Sequence, residues 1–229
     1  MLDGTAATVA GRYLQHRTAT PMSGPHIPKL AMTQTAFRTS DYPIDIQFLN
    51  RWSPRAFTGE AMSEADLLTM IEAGRWAASS YNSQPWRFLY ARRDTVHWPK
   101  FLGLLNEFNQ SWAKTASALV ILVSNSLMLP PGAEKPVPSH SHSLDTGAAS
   151  GYFALQASLM GWQAHGMAGF DMERAFAELN VPQGFRVEAA YAVGRPGDKS
   201  MLPEGLQGRE QPSPRAALAD IAIEGGFTP

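Results

Sequence analysis

Residues 79–88, Ser-Ser-Tyr-Asn-Ser-Gln-Pro-Trp-Arg-Phe, concentrate polar and aromatic side chains that suit ligand binding. The amides of Asn82 and Gln84 each donate and accept hydrogen bonds, as the edge of a heterocycle requires. Ser79 and Ser80 add two hydroxyl groups directly before them. An equally supported alternative is a loop whose side chains satisfy only its own backbone. The stretch predicts either a site for a polar aromatic ligand or a self-braced turn.

Two arginines flank a serine at Arg51, Ser53 and Arg55. A guanidinium binds phosphate oxygens through a planar, bidentate fork, so this spacing suits a phosphate group. Taken alone, the triplet is more typical of a solvated, charged turn. Arg215 lies in a proline-bounded segment and is a further candidate for the phosphate, against the commoner role of a surface charge.

The segment Gly166-Met167-Ala168-Gly169-Phe170 offers backbone donors, because glycine lets N–H groups approach a ligand closely. The alternative is a tight turn into the following helix. His140 and His142 suggest a metal site, but they lie in a proline-rich loop without a suitable acid, so we expect them to be exposed.

The composition excludes several classes of function. The chain has 229 residues and no cysteine, which removes disulfides, thiolate metal sites and a catalytic thiol, so any redox chemistry requires a bound cofactor. A net charge of -1 gives no reason to expect nucleic acid as a partner. Because no apolar run is long enough for a membrane span, we expect no membrane partner and a cytoplasmic location.

Apolar spacing and turn residues predict the elements that carry these residues. Ser63 followed by Asp66 is typical of a helix N-terminus. The apolar run at residues 118–123 predicts a strand buried on both faces. Residues 125–141 predict a loop. The remaining predictions are helices at residues 42–50, 64–76, 98–112, 144–160 and 171–180, and strands at residues 88–91 and 187–193.

The first 31 residues have weak periodicity and predict a flexible N-terminal tail, followed by one domain over residues 32–229. A transit peptide is the alternative for the tail, since Arg12 and Arg17 outnumber its single acid, Asp3.

Taken in order, these segments resemble the nitroreductase family of FMN-dependent NAD(P)H oxidoreductases. Residues 51–57 are similar to its Arg-x-Ser-x-Arg/Lys-x-Phe signature, and residues 78–88 to its Pro-Ser-Ser-x-Asn-x-Gln-Pro-Trp-x-Phe segment. Asp145 and Gly147 at the start of a helix rich in small residues, and then residues 167–170, also fit in order. The resemblance covers about residues 45–221 and implies an α+β fold, with a mainly antiparallel central sheet flanked by helices in an intertwined homodimer.

The resemblance also implies a role for each matching residue. Arg51, Ser53, Arg55 and Arg215 would hold the FMN phosphate and ribityl chain. Ala168 and Gly169 would offer backbone N–H groups to the flavin ring, and Asn109 would contact it. Ser79, Ser80 and Asn82 would lie along the flavin from the partner subunit, and Gln84 of the same segment would also bind the cofactor.

The implied activity is a ping-pong cycle without a catalytic side chain. NADH or NADPH would reduce FMN, and a small-molecule electron acceptor such as a nitro compound, quinone or enone would reoxidise it. The alternatives are a flavin-consuming or dehalogenating relative and a non-catalytic flavin-binding protein. The sequence departs from the family at Trp52 and Ala78, and its short 125–143 loop predicts a more open substrate pocket.

Overall fold

The computed structural model of the protein describes residues 38–227. The predicted N-terminal tail, residues 1–31, lies outside the described residues. Within the described range no helix is both long enough and apolar enough to cross a membrane. The elements that support the candidate site all belong to this range.

A four-stranded sheet lies at the centre, and its strands are β1 (Trp86–Arg92), β2 (Ala118–Asn125), β5 (Gln163–Met167) and β6 (Phe185–Gly194). Two further short strands, β3 (Leu127–Met128) and β4 (Val137–Pro138), pair with each other in a separate hairpin. The order across the central sheet is β1-β2-β6-β5, and each neighbouring pair is antiparallel. The predicted antiparallel sheet is therefore confirmed.

The helices flank this sheet, and they are α1 (Ile46–Asn50), α2 (Glu64–Arg75), α3 (Trp98–Leu104), α4 (Glu107–Ala113), α5 (His142–Leu159), α6 (Met172–Glu178), α7 (Glu204–Gln207) and α8 (Leu218–Ile221). Helix α2 begins as predicted, because the Ser63 side chain accepts a hydrogen bond of 3.0 Å from the backbone N–H of Asp66. Helix α5 begins at His142, two residues before the predicted start.

Strand β2 connects two apolar layers because its successive side chains point to opposite faces of the sheet. Val120 packs on one side in a cluster with Leu67 of α2 and Phe153 of α5. Ile121 packs on the other side in a cluster with Trp112 of α4. Both faces of β2 are buried, as its uninterrupted apolar run predicts. The molecule is an α+β structure with helices on both faces of the sheet.

The single helix predicted at residues 98–112 is wrong, since the structure has two helices, α3 and α4, in its place. The break occurs at Leu105, whose backbone is extended and forms a β-bridge with Phe170. Asn106 then caps α4, because its side chain accepts a hydrogen bond of 2.9 Å from the backbone N–H of Asn109. The break brings the start of α4 against residues 169 and 170.

Strand β5 has no counterpart among the elements predicted from the sequence. Gly166 and Met167, predicted to offer backbone donors to a ligand or to form a tight turn, are the last two residues of this edge strand. The segment Gln-Ala-His-Gly-Met has no run of β-branched or alternating apolar residues, so its extended form depends on pairing with β6. The predicted loop at residues 125–141 likewise contains the β3–β4 hairpin.

Candidate functional site

A cavity of about 230 Å³ brings together four of the predicted site residues, Arg51, Ser53, Arg55 and Arg215. It is hereafter called the arginine cavity. Residues 51–55 follow helix α1, whereas Arg215 belongs to the C-terminal segment between α7 and α8. The cavity is lined by Arg38, Arg51, Trp52, Ser53, Arg55, His165, Arg209, Gln211, Ser213 and Arg215.

The arginines of the cavity are not paired with carboxylates. None of its five arginines forms a salt bridge with a carboxylate within the described residues. Burial lowers the pKa of Arg51, and the nearby Arg215 guanidinium lowers it further. Burial also lowers the pKa of Arg55. The Arg209 guanidinium lowers this pKa further, whereas the Glu210 carboxylate raises it. Crowded guanidiniums of this kind suit a phosphate, whose charge would relieve their repulsion.

Arg55 also carries a hydrogen-bond donor that no described residue satisfies. Its Nε atom is buried and has no hydrogen-bond acceptor within the described residues. A buried donor without a partner costs free energy, so an acceptor supplied by a ligand would be stabilising there. The Arg55 guanidinium lies 6.0 Å from the centre of the Trp112 ring, within the range of a cation–π contact.

Arg38 lines the cavity but is largely committed to the backbone. Its Nη1 donates to the carbonyl oxygens of Leu49, at 3.2 Å, and Arg51, at 2.8 Å. Its Nε donates to the carbonyl oxygen of Ser213, at 3.0 Å. Arg38 therefore ties the segment around Arg51 to the C-terminal segment that carries Arg215.

His165 of β5 lies in the cavity as a neutral side chain. Its Nδ1 is 2.8 Å from the carbonyl oxygen of Pro54, and because a carbonyl can only accept, Nδ1 carries the proton. The ring packs on Trp112 with centroids 4.7 Å apart. Burial lowers the pKa of His165 to about 4, against the Pro54 hydrogen bond that raises it, and Arg55 adds to the lowering. The charge of the cavity at neutral pH therefore comes from its arginines.

A second group of predicted residues meets at the end of β5. The Asn109 Nδ2 donates to the carbonyl oxygen of Gly169, at 2.9 Å. A Cβ on Gly169 would lie 2.6 Å from Asn109 Nδ2 and 2.7 Å from Asn106 Nδ2, so only glycine fits without displacing a side chain. Within the described residues, the N–H groups of Ala168 and Gly169 donate no backbone hydrogen bond. They are available as donors to a ligand.

The polar segment at residues 79–84 partly supports itself. The Ser79 hydroxyl accepts a hydrogen bond of 3.0 Å from the backbone N–H of Gln84. The Gln84 side chain in turn donates to the carbonyl oxygen of Asn82, at 3.2 Å. These bonds agree with the self-braced alternative for Ser79 and Gln84. None of Ser79, Ser80, Asn82 and Gln84 lines the arginine cavity of the same chain.

The same segment is held in an unusual backbone conformation. Tyr81, Asn82 and Gln84 have φ angles of 51°, 53° and 47°, which non-glycine residues rarely adopt. The Ser80 N–H donates to the Asp145 carboxylate near the start of α5, at 3.1 Å. Tyr81 and Asn82 are exposed in this conformation. Strained, exposed polar residues are typical of segments that contact a ligand or a partner.

A second cavity, of about 410 Å³, shares Arg51 and Ser53 with the arginine cavity. Because neighbouring strand residues face opposite sides, Ala164 and Gly166 line this cavity while His165 lines the first. No residue of the 125–143 loop lines either cavity. The remaining lining is mostly apolar or small and consists of Phe48, Ser150, Gly151, Ala154, Leu155 and Tyr191.

Only one of the two histidines that were predicted to be exposed is exposed. His140 is exposed, but His142 is partly buried, with its Nδ1 2.7 Å from the Ser124 hydroxyl. Ser124 also bonds to the Glu188 carboxylate, so the expectation of an exposed His142 is wrong. The described residues contain no group of three or more histidine or acidic side chains that could hold a metal ion.

Comparison with known proteins gives a consistent pattern. A sequence model of the nitroreductase family matches residues 49–195, which include the first motif, the polar segment and β5. A crystal structure described as an oxidoreductase containing FMN is 50% identical, and the match covers 83% of this chain and 96% of that one with a TM-score of 0.80.

Two curated proteins match shorter stretches. An uncharacterized 15.4 kDa protein of Mycolicibacterium smegmatis is 36% identical over 124 residues, which cover 54% of this chain and 79% of that protein. The major NAD(P)H-flavin oxidoreductase of Aliivibrio fischeri is 35% identical over 89 residues, which cover 38% of this chain and 40% of that protein.

Proposed function

The chain belongs to the nitroreductase family, and we propose that it is an FMN-dependent oxidoreductase that takes electrons from NADH or NADPH. The observation that carries the proposal is the arginine cavity, where five guanidiniums face one space without a carboxylate partner in the described residues. The half-identical structure that contains FMN, matched over nearly its whole length, supports the same cofactor.

The phosphate of FMN fits the arginine cavity. Arg51 and Arg55 are crowded by other guanidiniums, and the Arg55 Nε has no acceptor among residues 38–227. Ser53 lies between them and Arg215 approaches from the C-terminal segment. Arg209 lines the same space and is a further phosphate ligand in this proposal. It is not among the site residues predicted from the sequence.

The ring of FMN requires hydrogen-bond donors at its edge, and residues 168–169 supply them. The N–H groups of Ala168 and Gly169 are unpaired with other described backbone groups. Asn109 holds the Gly169 carbonyl and would approach the ring from the same side. Bound FMN would supply the redox chemistry, with reduction by the nicotinamide and reoxidation by the acceptor in ping-pong order. The chain's own contribution is to bind and orient the flavin.

A homodimer would complete this site. Ser79, Ser80, Asn82 and Gln84 are absent from the arginine cavity of their own chain, which supports their contact with the flavin of a partner subunit. Helix α5 also exposes Leu144, Tyr152 and Leu159, with 76%, 48% and 44% of their surface accessible. Large exposed apolar side chains along one helix are typical of a protein–protein interface.

We propose a small electrophile, such as a nitro compound, a quinone or an enone, as the electron acceptor. Reduced nicotinamides are supplied in the cytoplasm, so we place the reaction there. Residues 32–229 are proposed to form the FMN-binding domain, without the predicted tail.

Calorimetric titration of flavin-free protein with FMN and with riboflavin tests the proposal. Riboflavin carries the same ring without the phosphate. We expect FMN to bind at least about a hundredfold more tightly than riboflavin, since several charge-assisted hydrogen bonds depend on the phosphate. Failure of FMN to bind, or equal affinity for the two flavins, would contradict the assignment of the arginine cavity.

A further inference from the structure

The Glu210 carboxylate lies near the Arg55 guanidinium and raises its pKa against the effect of burial. It accepts hydrogen bonds from backbone N–H groups and forms no salt bridge with a guanidinium of the described residues. Its Oε1 accepts the backbone N–H of Arg55 at 2.7 Å and that of Ala56 at 2.8 Å. Two successive N–H groups directed at one oxygen form a concave donor site that holds a carboxylate well. These two hydrogen bonds connect parts of the chain that are far apart in the sequence, with separations of 155 and 154 positions.

The charge of Glu210 is unfavourable for an anion site. A carboxylate close to the phosphate site would repel the ligand, and it partly compensates the guanidinium of Arg55. Glu210 can favour phosphate binding only through the position that its two hydrogen bonds impose on the chain.

The hydrogen bonds of Glu210 fix the C-terminal segment that lines one side of the arginine cavity. Glu210 directly follows Arg209 and precedes Gln211, and both neighbours line the cavity. The segment is held a second time three residues later, where Arg38 donates to the Ser213 carbonyl oxygen at 3.0 Å. Arg215 follows this second contact by two residues. Glu210 and Arg38 together fix the segment that carries Arg209 and Arg215.

We propose that Glu210 is a positioning residue for phosphate binding. The acceptor atom Oε1, and not the negative charge, sets the affinity by holding Arg209 and Arg215 against Arg51 and Arg55. The inference rests on the proposed function for the identity of the ligand, but its geometry applies to any phosphate bound in the cavity.

The variants Glu210→Gln and Glu210→Ala provide a charge-matched test, since both remove the negative charge and only glutamine keeps the acceptor. The Glu210 Oε2 has no hydrogen-bond partner within the described residues, so the amide nitrogen of glutamine loses no bond there. It does become a buried donor without an acceptor, and thermal unfolding measures that cost to folding. We expect the glutamine variant to bind FMN as tightly as the parent protein or more tightly. The alanine variant should bind FMN at least about tenfold more weakly than the glutamine variant.

Riboflavin and Arg215 supply the controls. All three proteins should bind riboflavin equally, because a positioning role through the arginines requires the phosphate. In an Arg215→Ala background, the difference between the glutamine and alanine variants should shrink, as coupled residues in a double-mutant cycle do. Equal FMN affinity of the two variants, an equal loss for riboflavin, or an unchanged difference without Arg215 would overturn the inference.

The outcome is separable from that of the proposed function. If the parent protein does not bind FMN, the proposed function fails, and the same comparison with inorganic phosphate still tests Glu210. If the parent binds FMN and the two variants do not differ, only the role of Glu210 is wrong. Thermal unfolding of each variant checks that the alanine variant is folded under the conditions of the titration.

Discussion

At the scale of single residues, Arg55 offers the most direct test of the phosphate assignment. Its buried Nε lacks an acceptor within the described residues, so a bound phosphate would fill that requirement. Arg55→Ala should weaken FMN binding by about 10- to 100-fold, the range expected for one or two hydrogen bonds to a charged group. Riboflavin affinity should not change. Arg75→Ala, which removes an exposed arginine of α2, is the control and should leave both affinities unaltered.

Gly169 tests the proposed contact with the ring. A Cβ there would lie 2.6 Å from Asn109 Nδ2, so Gly169→Ala should displace Asn109 and cost about 1–3 kcal/mol of folding free energy. FMN and riboflavin should both bind more weakly. Gly103→Ala is the matched control, because a Cβ at that position in α3 would meet nothing within 4 Å. Alanine favours helix there, so a slight stabilisation is expected. An unchanged flavin affinity in the Gly169 variant would contradict the placement of the ring.

His165 makes the folding free energy depend on pH. Burial lowers its pKa from 6.5 to about 4 in the folded protein, so the unfolded chain binds the proton first as the pH falls. The stability due to the neutral ring is complete above pH 6.5 and is lost progressively towards pH 4. Urea unfolding of the flavin-free proteins measures the free energy of unfolding at pH 7 and at pH 4.5. Between these two pH values the parent protein should lose about 2 kcal/mol more of this free energy than His165→Phe, whose side chain cannot titrate. Equal losses in both proteins would show that His165 is not responsible.

The residues of the site differ in how far the sequence predicts them. Arg51, Ser53 and Arg55 share one short motif. Arg215 is a separate candidate from its proline-bounded segment, and the family resemblance assigns it to the same phosphate site. Arg209 and His165 were missed, since nothing in their sequence neighbourhood distinguishes them from surface or core residues. Their role depends on where the C-terminal segment and β5 lie in the folded chain. The prediction of an exposed His142 failed for the same reason, because Ser124 and Glu188 are distant in sequence.

At the scale of elements, the break between α3 and α4 links local structure to the site. Asn106 caps α4 and thereby places Asn109 against Gly169. Asn106→Ala should destabilise the protein by about 1 kcal/mol and also weaken flavin binding. Ser63→Ala removes the comparable cap of α2, which carries no site residue, and should cost similar stability without changing flavin affinity. Chemical denaturation and flavin titration of both variants measure the two effects. The same loss of affinity in both variants would assign it to general destabilisation.

The elements that the sequence predicts well are those whose residues specify them locally. Residues 118–123 of strand β2 are an unbroken apolar run, and Ser63 with Asp66 marks the start of α2. By contrast, the apolar spacing continues across the break at Asn106, through Phe101, Leu104, Leu105 and Phe108. The spacing therefore predicts one helix where the structure has two. Strand β5 is defined by its pairing with β6, which a local pattern does not contain.

At the scale of the whole molecule, the proposed homodimer predicts that each flavin site combines two chains. A mixed dimer tests this directly, with Arg51→Ala and Arg55→Ala in one subunit and Ser80→Ala and Asn82→Ala in the other. If the site is shared, one of its two sites contains only unaltered residues, and FMN should bind there with the parent affinity at half the stoichiometry. If all site residues came from one chain, no unaltered site would remain, and tight binding would be lost from the mixed dimer.

The central claim is that the chain uses bound FMN to transfer electrons from a nicotinamide. Anaerobic stopped-flow absorbance of the FMN-reconstituted protein measures this step, with NADH and NADPH mixed separately. We expect rapid bleaching of the oxidised flavin band with at least one nicotinamide, and return of the band when a quinone or nitro compound is added afterwards. Stable binding of FMN without bleaching by either nicotinamide would exclude this electron transfer and favour a non-catalytic flavin-binding protein.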